Sequence, residues 1–181
     1  MKEINTEIEL EYTFLPSHLP EDLRDAPVKR LIDVYVPEVD VVHPNLRLRQ
    51  KGDSYTITKK VKLSENDASA HNEITIPLSN IEFTALSGSS NRKIVKDRYF
   101  IKIDGYDAEV DIFLGSLSGL VLIDFEFNNI EDQRSFVKPS LCLADVTQED
   151  FIAGGMLAGK SYDLISNDLR RFDYKPLSIK N

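Results

Sequence analysis

The chain has no tryptophan and a single cysteine, Cys142. One cysteine excludes an intramolecular disulfide and any metal site built from thiolates, and Cys142 reads as a packing residue. The three histidines, His18, His43 and His71, are scattered and form no zinc motif. His71 reads as a structural or peripheral residue. The glycine pair Gly154-Gly155 is no phosphate loop, because the Gly-x-x-x-x-Gly-Lys spacing is missing. Base is also in short supply. The 22 Lys and Arg stand against 30 Asp and Glu, for a net charge of −8 and a pI near 4.9. That argues against non-specific nucleic-acid binding, which needs a basic field, but leaves room for a local basic pocket. No apolar run resembles a signal peptide or a membrane span, so a cytoplasmic protein without membrane partners is expected. There are no repeats and no low-complexity segment. The 181 residues are expected to form one domain, 1–181.

What the chain does have is alternation. Glu7, Glu9 and Glu11 alternate with Ile8, Leu10 and Tyr12. Arg47 and Arg49 alternate with Leu46 and Leu48, and Lys96 and Arg98 with Val95, Asp97, Tyr99 and Ile101. Glu109 and Asp111 alternate with Ala108, Val110 and Ile112, and Asp124 and Glu126 with Ile123, Phe125 and Phe127. Strand side chains change face with period two, so each run sets like charges side by side on one face. Like charges there repel and cost stability. Acids on some strands and bases on others suggest a lined site for a polyanion and its metal ions.

The spacing predicts strands over 3–15, 30–36, 46–51, 55–63, 71–77, 93–103, 107–114 and 119–127. His43-Pro44-Asn45 leads into a hairpin that turns at Lys51-Gly52-Asp53-Ser54, with Lys51 and Asp53 as turn charges. Residues 16–27 carry three prolines and read as a loop with a short helix at 20–26; residues 64–70 read as a polar loop. Ser79-Asn80-Ile81-Glu82 has the capping-box pattern, so a helix is expected over 80–87. The tail changes character: Thr147 caps a helix running to about 158, and 160–172 is helical. The fold class is therefore α+β. Eight mostly antiparallel strands within 3–127 form a closed or nearly closed barrel, with covering helices and a helical tail over about 128–175. The apolar faces (Ile8, Leu10; Ile57, Val61; Val110, Ile112; Phe125, Phe127) are expected to lie under helices, and the charged faces to line the lumen.

In this order the residues resemble the CYTH superfamily, the triphosphate tunnel metalloenzymes. Glu9-Leu10-Glu11-Tyr12-Thr13 is similar to the family's opening E-x-E-x-K. Leu46-Arg47-Leu48-Arg49 resembles its L-R-x-R strand, and Tyr55 to Lys60 the strand that follows. Lys96-Asp97-Arg98 resembles K-x-R, Glu109-Val110-Asp111-Ile112-Phe113 resembles E-V-D-x-F, and Asp124-Phe125-Glu126-Phe127 resembles E-x-E-F. Ala144-Asp145-Val146-Thr147 is similar to the E-V-T segment before the final helices. The likeness covers nearly the whole chain.

The resemblance implies a metal-dependent hydrolase of a triphosphate, inorganic tripolyphosphate first, as a monomer or homodimer. Thiamine triphosphatase and class IV adenylate cyclase are the alternatives within the family. It implies that Glu9, Glu11, Asp111, Asp124 and Glu126 ligate Mg²⁺ or Mn²⁺, whose hard oxygen chemistry suits carboxylates. It implies that Arg47, Arg49, Lys60, Lys96 and Arg98 grip the phosphates, since guanidinium and ammonium donors match phosphate oxygens. Glu9, Glu11 and Lys60 carry the catalytic expectation. Parity chooses Lys60 over Lys59, because Lys60 shares a face with Thr56, Thr58 and Lys62. Lys62, Glu73 and Glu109 are further lumen candidates, and Lys160 is expected to reach in from the tail. Two positions depart from the pattern. Thr13 stands where the family has lysine, which raises a non-catalytic polyphosphate-binding module as the rival reading. Asp124 stands where Glu is usual. Asp124 and Glu126 are informative in their own right, because they interrupt an apolar strand, and buried carboxylates need partners.

Overall fold

The structure, a computed structural model, describes residues 4–38, 44 and 46–179. Nine strands run antiparallel to their neighbours: β1 (Asn5–Pro16), β2 (Val28–Val36), β3 (Leu46–Lys51), β4 (Ser54–Ser64), β5 (Asp67–Leu78), β6 (Lys93–Ile103), β7 (Tyr106–Phe113), β8 (Val121–Phe127) and β9 (Cys142–Asp145). The sheet order is β5-β4-β3-β2-β6-β7-β8-β1-β9, and a further β5–β1 pairing closes the first eight strands into a barrel. Closure leaves no open edge among them. His43 and Asn45, expected to lead into the β3–β4 hairpin, lie outside the described residues. The hairpin itself turns at Gly52, whose φ of +59° suits glycine. The polar loop expected over 64–70 contracts instead: β4 and β5 extend toward each other until Ser64 pairs with Asp67.

Inward parity divides β1, β2, β6, β7 and β8 into two zones. Along one stretch each presents charge. Farther along, each turns apolar, at Leu15, Tyr35, Ile94, Phe113 and Leu122, which pack with Val146, Ile152, Leu157, Ile165, Leu169 and Tyr174 of the tail. The tail thus stops one end of the barrel. Its helix α4 (Tyr162–Arg170) presents Ile165 and Leu169, each 1% exposed, to that floor.

The tail is less helical than its sequence suggests. It holds α2 (Ile130–Ser135), the strand β9, a 3-10 turn at Asp150–Ile152, the single turn α3 (Gly154–Leu157) and α4. The helix expected from 147 to 158 is broken at Ala153, which is extended at φ −58° and ψ 136°. Packing accounts for the break. Gly154 sits under the Tyr35 hydroxyl, and a Cβ on Gly155 would stand 2.8 Å from the Pro44 ring. Thr147 caps no helix; its hydroxyl bonds the Asp145 carboxylate at 2.6 Å and accepts from the Thr13 amide at 3.0 Å.

The outer wall also departs from expectation, because helices cover little of it. The helix α1 (Asn80–Ser87), with both hydrogen bonds of its capping box formed, seats Phe83 over Val34, Leu48 and Ile57. Val110, Ile112 and Phe125 are covered by Leu23 of a short 3-10 helix at Glu21–Asp25, within the helix expected at 20–26, and by irregular chain, including Leu19, Phe136 and Leu141. Phe136 packs against the rings of Tyr12, Phe14, Tyr106, Phe125 and Phe127 at centroid distances of 4.7–5.8 Å. Ile8 and Val61 stay 63% and 46% exposed, so the expected helical cover is missing around them, on one stretch of β1 and of β4. An eight-residue helix spans only about 12 Å, too short to roof that wall. Among the described residues, no helix is long and apolar enough to cross a membrane.

Candidate functional site

The charged zone of the barrel encloses a cavity of about 1140 Å³. Its lining includes Glu9, Glu11 and Thr13 from β1, Arg47 and Arg49 from β3, and Lys60 and Lys62 from β4. Glu73 comes from β5, Lys96 and Arg98 from β6, Glu109 and Asp111 from β7, and Asp124 and Glu126 from β8. Of the expected site residues, Lys160 alone is missing from this lining. Its backbone carbonyl accepts from Ser116, just before α4. Lys60, not Lys59, faces in, as parity requires. Lys51, read as a turn charge, also reaches the cavity.

Opposite charges meet across the barrel because acidic and basic strands are neighbours or face one another. Asp111 lies opposite Arg98 in the β6–β7 pairing and takes two bonds from it, at 2.7 Å to Nε and 2.6 Å to Nη2. Lys96 binds the same carboxylate, and Arg98 also reaches Glu109 and Asp124. Lys60 extends from β4 to β1, where its ammonium pairs with Glu9 and, at 2.5 Å, with Glu11. Arg47 lies 3.9 Å from Glu73. Thr13 donates its hydroxyl to Asp124 at 2.8 Å. Lys62 faces Asp150 of the tail at 3.7 Å, where both are solvated.

Three contributors escaped the sequence reading. Asp33, 1% exposed, receives both Nε and Nη2 of Arg49, at 2.6 and 2.7 Å. Its signal was present: a lone acid inside the apolar run Leu31-Ile32-Asp33-Val34-Tyr35. Tyr35 and Thr147 also line the cavity. Nothing local marks Tyr35, and the sequence reads Thr147 only as part of the segment similar to E-V-T and as a helix cap, because the tail that frames them arrives from far along the chain.

The acids divide into two groups by charge balance. Burial opposes ionisation of Asp111, but Arg98 and Lys96 outweigh it and hold the carboxyl at about 2. Asp33 is held far below the usual range despite its burial, by Arg49. Glu11 is likewise held down, because Lys60 outweighs burial. Glu9 moves the other way, up to about 7, through burial and then the adjacent Glu11. Asp124 rises to about 6, again through burial, Glu11 and Asp111. The imidazole of His71 is lowered to about 4 by burial and by Lys60, so it is neutral at physiological pH. Eleven acidic side chains line the cavity against seven basic ones among the described residues. The cavity together with its mouth, where Glu7, Glu65 and Asp150 are exposed, therefore carries more acid than base, and a bound cation would relieve it.

No family model matches the chain. The inorganic triphosphatase of Nitrosomonas europaea is 31% identical over 144 residues, which span 78% of this chain and 90% of that protein. A crystal structure of an inorganic triphosphatase superposes with a TM-score of 0.60 at 29% identity, over 83% of this chain and 93% of that one. A conserved hypothetical protein from Pyrococcus furiosus shares the fold, with a TM-score of 0.50 at 23% identity over 70% of this chain and 82% of that one.

Proposed function

The chain belongs to the CYTH superfamily of triphosphate tunnel metalloenzymes, and from that premise we propose that it hydrolyses inorganic tripolyphosphate with Mg²⁺ or Mn²⁺ as cofactor. The observation that carries this reading is the convergence of basic side chains from β3, β4 and β6 with acids from β1, β7 and β8 on one cavity. A triphosphate needs both: fixed donors for its oxygens and cations for its charge.

The residues suit a divalent cation. Glu9 and Asp124 carry raised carboxyls in a crowded acidic lumen, and the Lys60 ammonium already sits between Glu9 and Glu11. Glu9, Glu11, Asp111, Asp124 and Glu126 would hold it. Bound there, it supplies charge neutralisation at the phosphate oxygens as the phosphoanhydride breaks. Arg47, Arg49, Lys60, Lys96 and Arg98 bind and align the phosphate chain. Asp33 engages one edge of Arg49, so that guanidinium is pre-oriented and keeps Nη1 for a phosphate oxygen.

The test is phosphate release from tripolyphosphate, ATP and thiamine triphosphate, each with Mg²⁺, Mn²⁺ and EDTA. Metal-dependent release from tripolyphosphate is expected, and Glu9→Gln or Glu11→Gln should abolish it without unfolding the protein. Full activity in either variant would sink the assignment. Preference for thiamine triphosphate, or cyclic AMP formed from ATP, would move the chain to another activity of the superfamily.

One observation favours a second reading, a polyphosphate-binding module without turnover. Thr13 replaces the lysine of the E-x-E-x-K pattern, and its hydroxyl is committed to Asp124. That reading predicts a thermal shift with tripolyphosphate and no phosphate release.

A further inference from the structure

Glu9 lies directly opposite His71 in the β1–β5 pairing, and Glu11 is two residues farther along the same face of β1. A carboxylate oxygen from each glutamate and a ring nitrogen from His71 all lie within 4.8 Å of one another. Carboxylates alone would be unremarkable in so acidic a lumen, but the histidine is not. Its Nδ1 is buried without a hydrogen-bond partner. In the same wall Glu73, 9% exposed, also keeps Oε2 without one. Buried polar atoms are seldom left unpaired in folded proteins. Between the two glutamates stands the Lys60 ammonium, so a positive charge already lies between these carboxylates.

Donor chemistry decides which cation suits the place. Oxygen-only sites suit magnesium, whereas an imidazole nitrogen favours later transition metals such as zinc or nickel; manganese is at home with carboxylates, accepts a ring nitrogen and serves as the paramagnetic probe. We infer that Glu9, Glu11 and His71 form a mixed nitrogen–oxygen site for a transition-metal dication, with His71 as a direct ligand. The inference rests on the functional reading above, because it names the cation of the same lumen. It changes the role of His71 from a peripheral residue to a metal ligand. It also gives Lys60 two positions: on the glutamates without metal, and released toward a phosphate oxygen with metal.

The full-length protein loaded with one equivalent of Mn²⁺ provides the test, read by pulsed electron paramagnetic resonance for nitrogen coupling. Imidazole coupling is expected, and it should vanish in His71→Gln. A second variant, His18→Gln with His43→Gln, leaves His71 as the only histidine. It should retain the coupling, which keeps the test decisive even if His71→Gln does not fold. Calorimetry should show Mn²⁺ binding weakened roughly tenfold or more in His71→Gln, with Mg²⁺ binding changed much less. Bound Mn²⁺ without nitrogen coupling overturns the inference, as does an absence of Mn²⁺ binding. Phosphate release from tripolyphosphate, measured on the same samples, separates the two readings. Coupling without release keeps the metal site and removes the hydrolase; release without coupling does the reverse.

Discussion

Asp33 and Arg49 make a two-bond pair inside the barrel wall, with Asp33 all but removed from water. Removing one partner of such a pair strands the other charge. Asp33→Ala is therefore expected to cost about 3–5 kcal/mol, read by urea unfolding. A loss under 1 kcal/mol would mean that water reaches Arg49 freely. The pH profile follows from the two groups of acids. Asp33 and Asp111 titrate below their unfolded value of about 3.9, so the stability they add is complete above that pH and drains away as pH falls toward 2. Glu9 and Asp124 have the opposite sign. Raised to about 7 and about 6, they cost nothing while protonated and destabilise the fold as pH rises through those values. In EDTA the melting temperature should peak at about pH 4, decline as pH rises to about 7 and level off above that. Added Mn²⁺ should remove that decline. A flat profile in EDTA would show that the acids are already neutralised.

At the scale of elements, the strands were legible and the tail was not. Strand period appears directly in residues such as Arg47 to Arg49 and Asp124 to Glu126, because every second residue must face the same way. The capping box at Ser79 was equally plain and forms as expected. The tail failed because its backbone answers to distant contacts. Ala153 is extended to bring Gly154 beneath Tyr35 and Gly155 beside Pro44, neither of which is near in sequence. The helix α4 then stops the barrel with Ile165 and Leu169. Leu169→Ala should cost about 2–5 kcal/mol through the cavity it leaves. Hydrogen exchange should then show the loosening concentrated in the floor strands; loss confined to α4 itself would argue that the plug is not coupled to the barrel.

Across the whole molecule, the acidic excess of the lumen sets an order of events. A bare polyanion entering a cavity with more acid than base is repelled, so tripolyphosphate should bind weakly in EDTA and tightly with a divalent cation. At a hundredfold excess over its dissociation constant, the ligand should add about 2.7 kcal/mol of stability, visible as a thermal shift with Mg²⁺ or Mn²⁺ and small without. An equal shift in EDTA would mean that Arg47, Arg49, Lys60, Lys96 and Arg98 suffice alone.

The barrel strands, the inward parity of their charges and the residue types of the lumen were legible in the sequence alone. These follow from period two and from side-chain chemistry, both local properties. Only the tertiary structure decided which charges meet: Lys60 with Glu9 and Glu11, Asp33 with Arg49, and His71 beside two carboxylates. It also decided that the tail plugs one end while the outer wall around Ile8, Val61, Ile74 and Ile76 stays uncovered. Closure of the barrel by the β1–β5 pairing brings together residues about sixty positions apart, a distance over which local pattern carries no register.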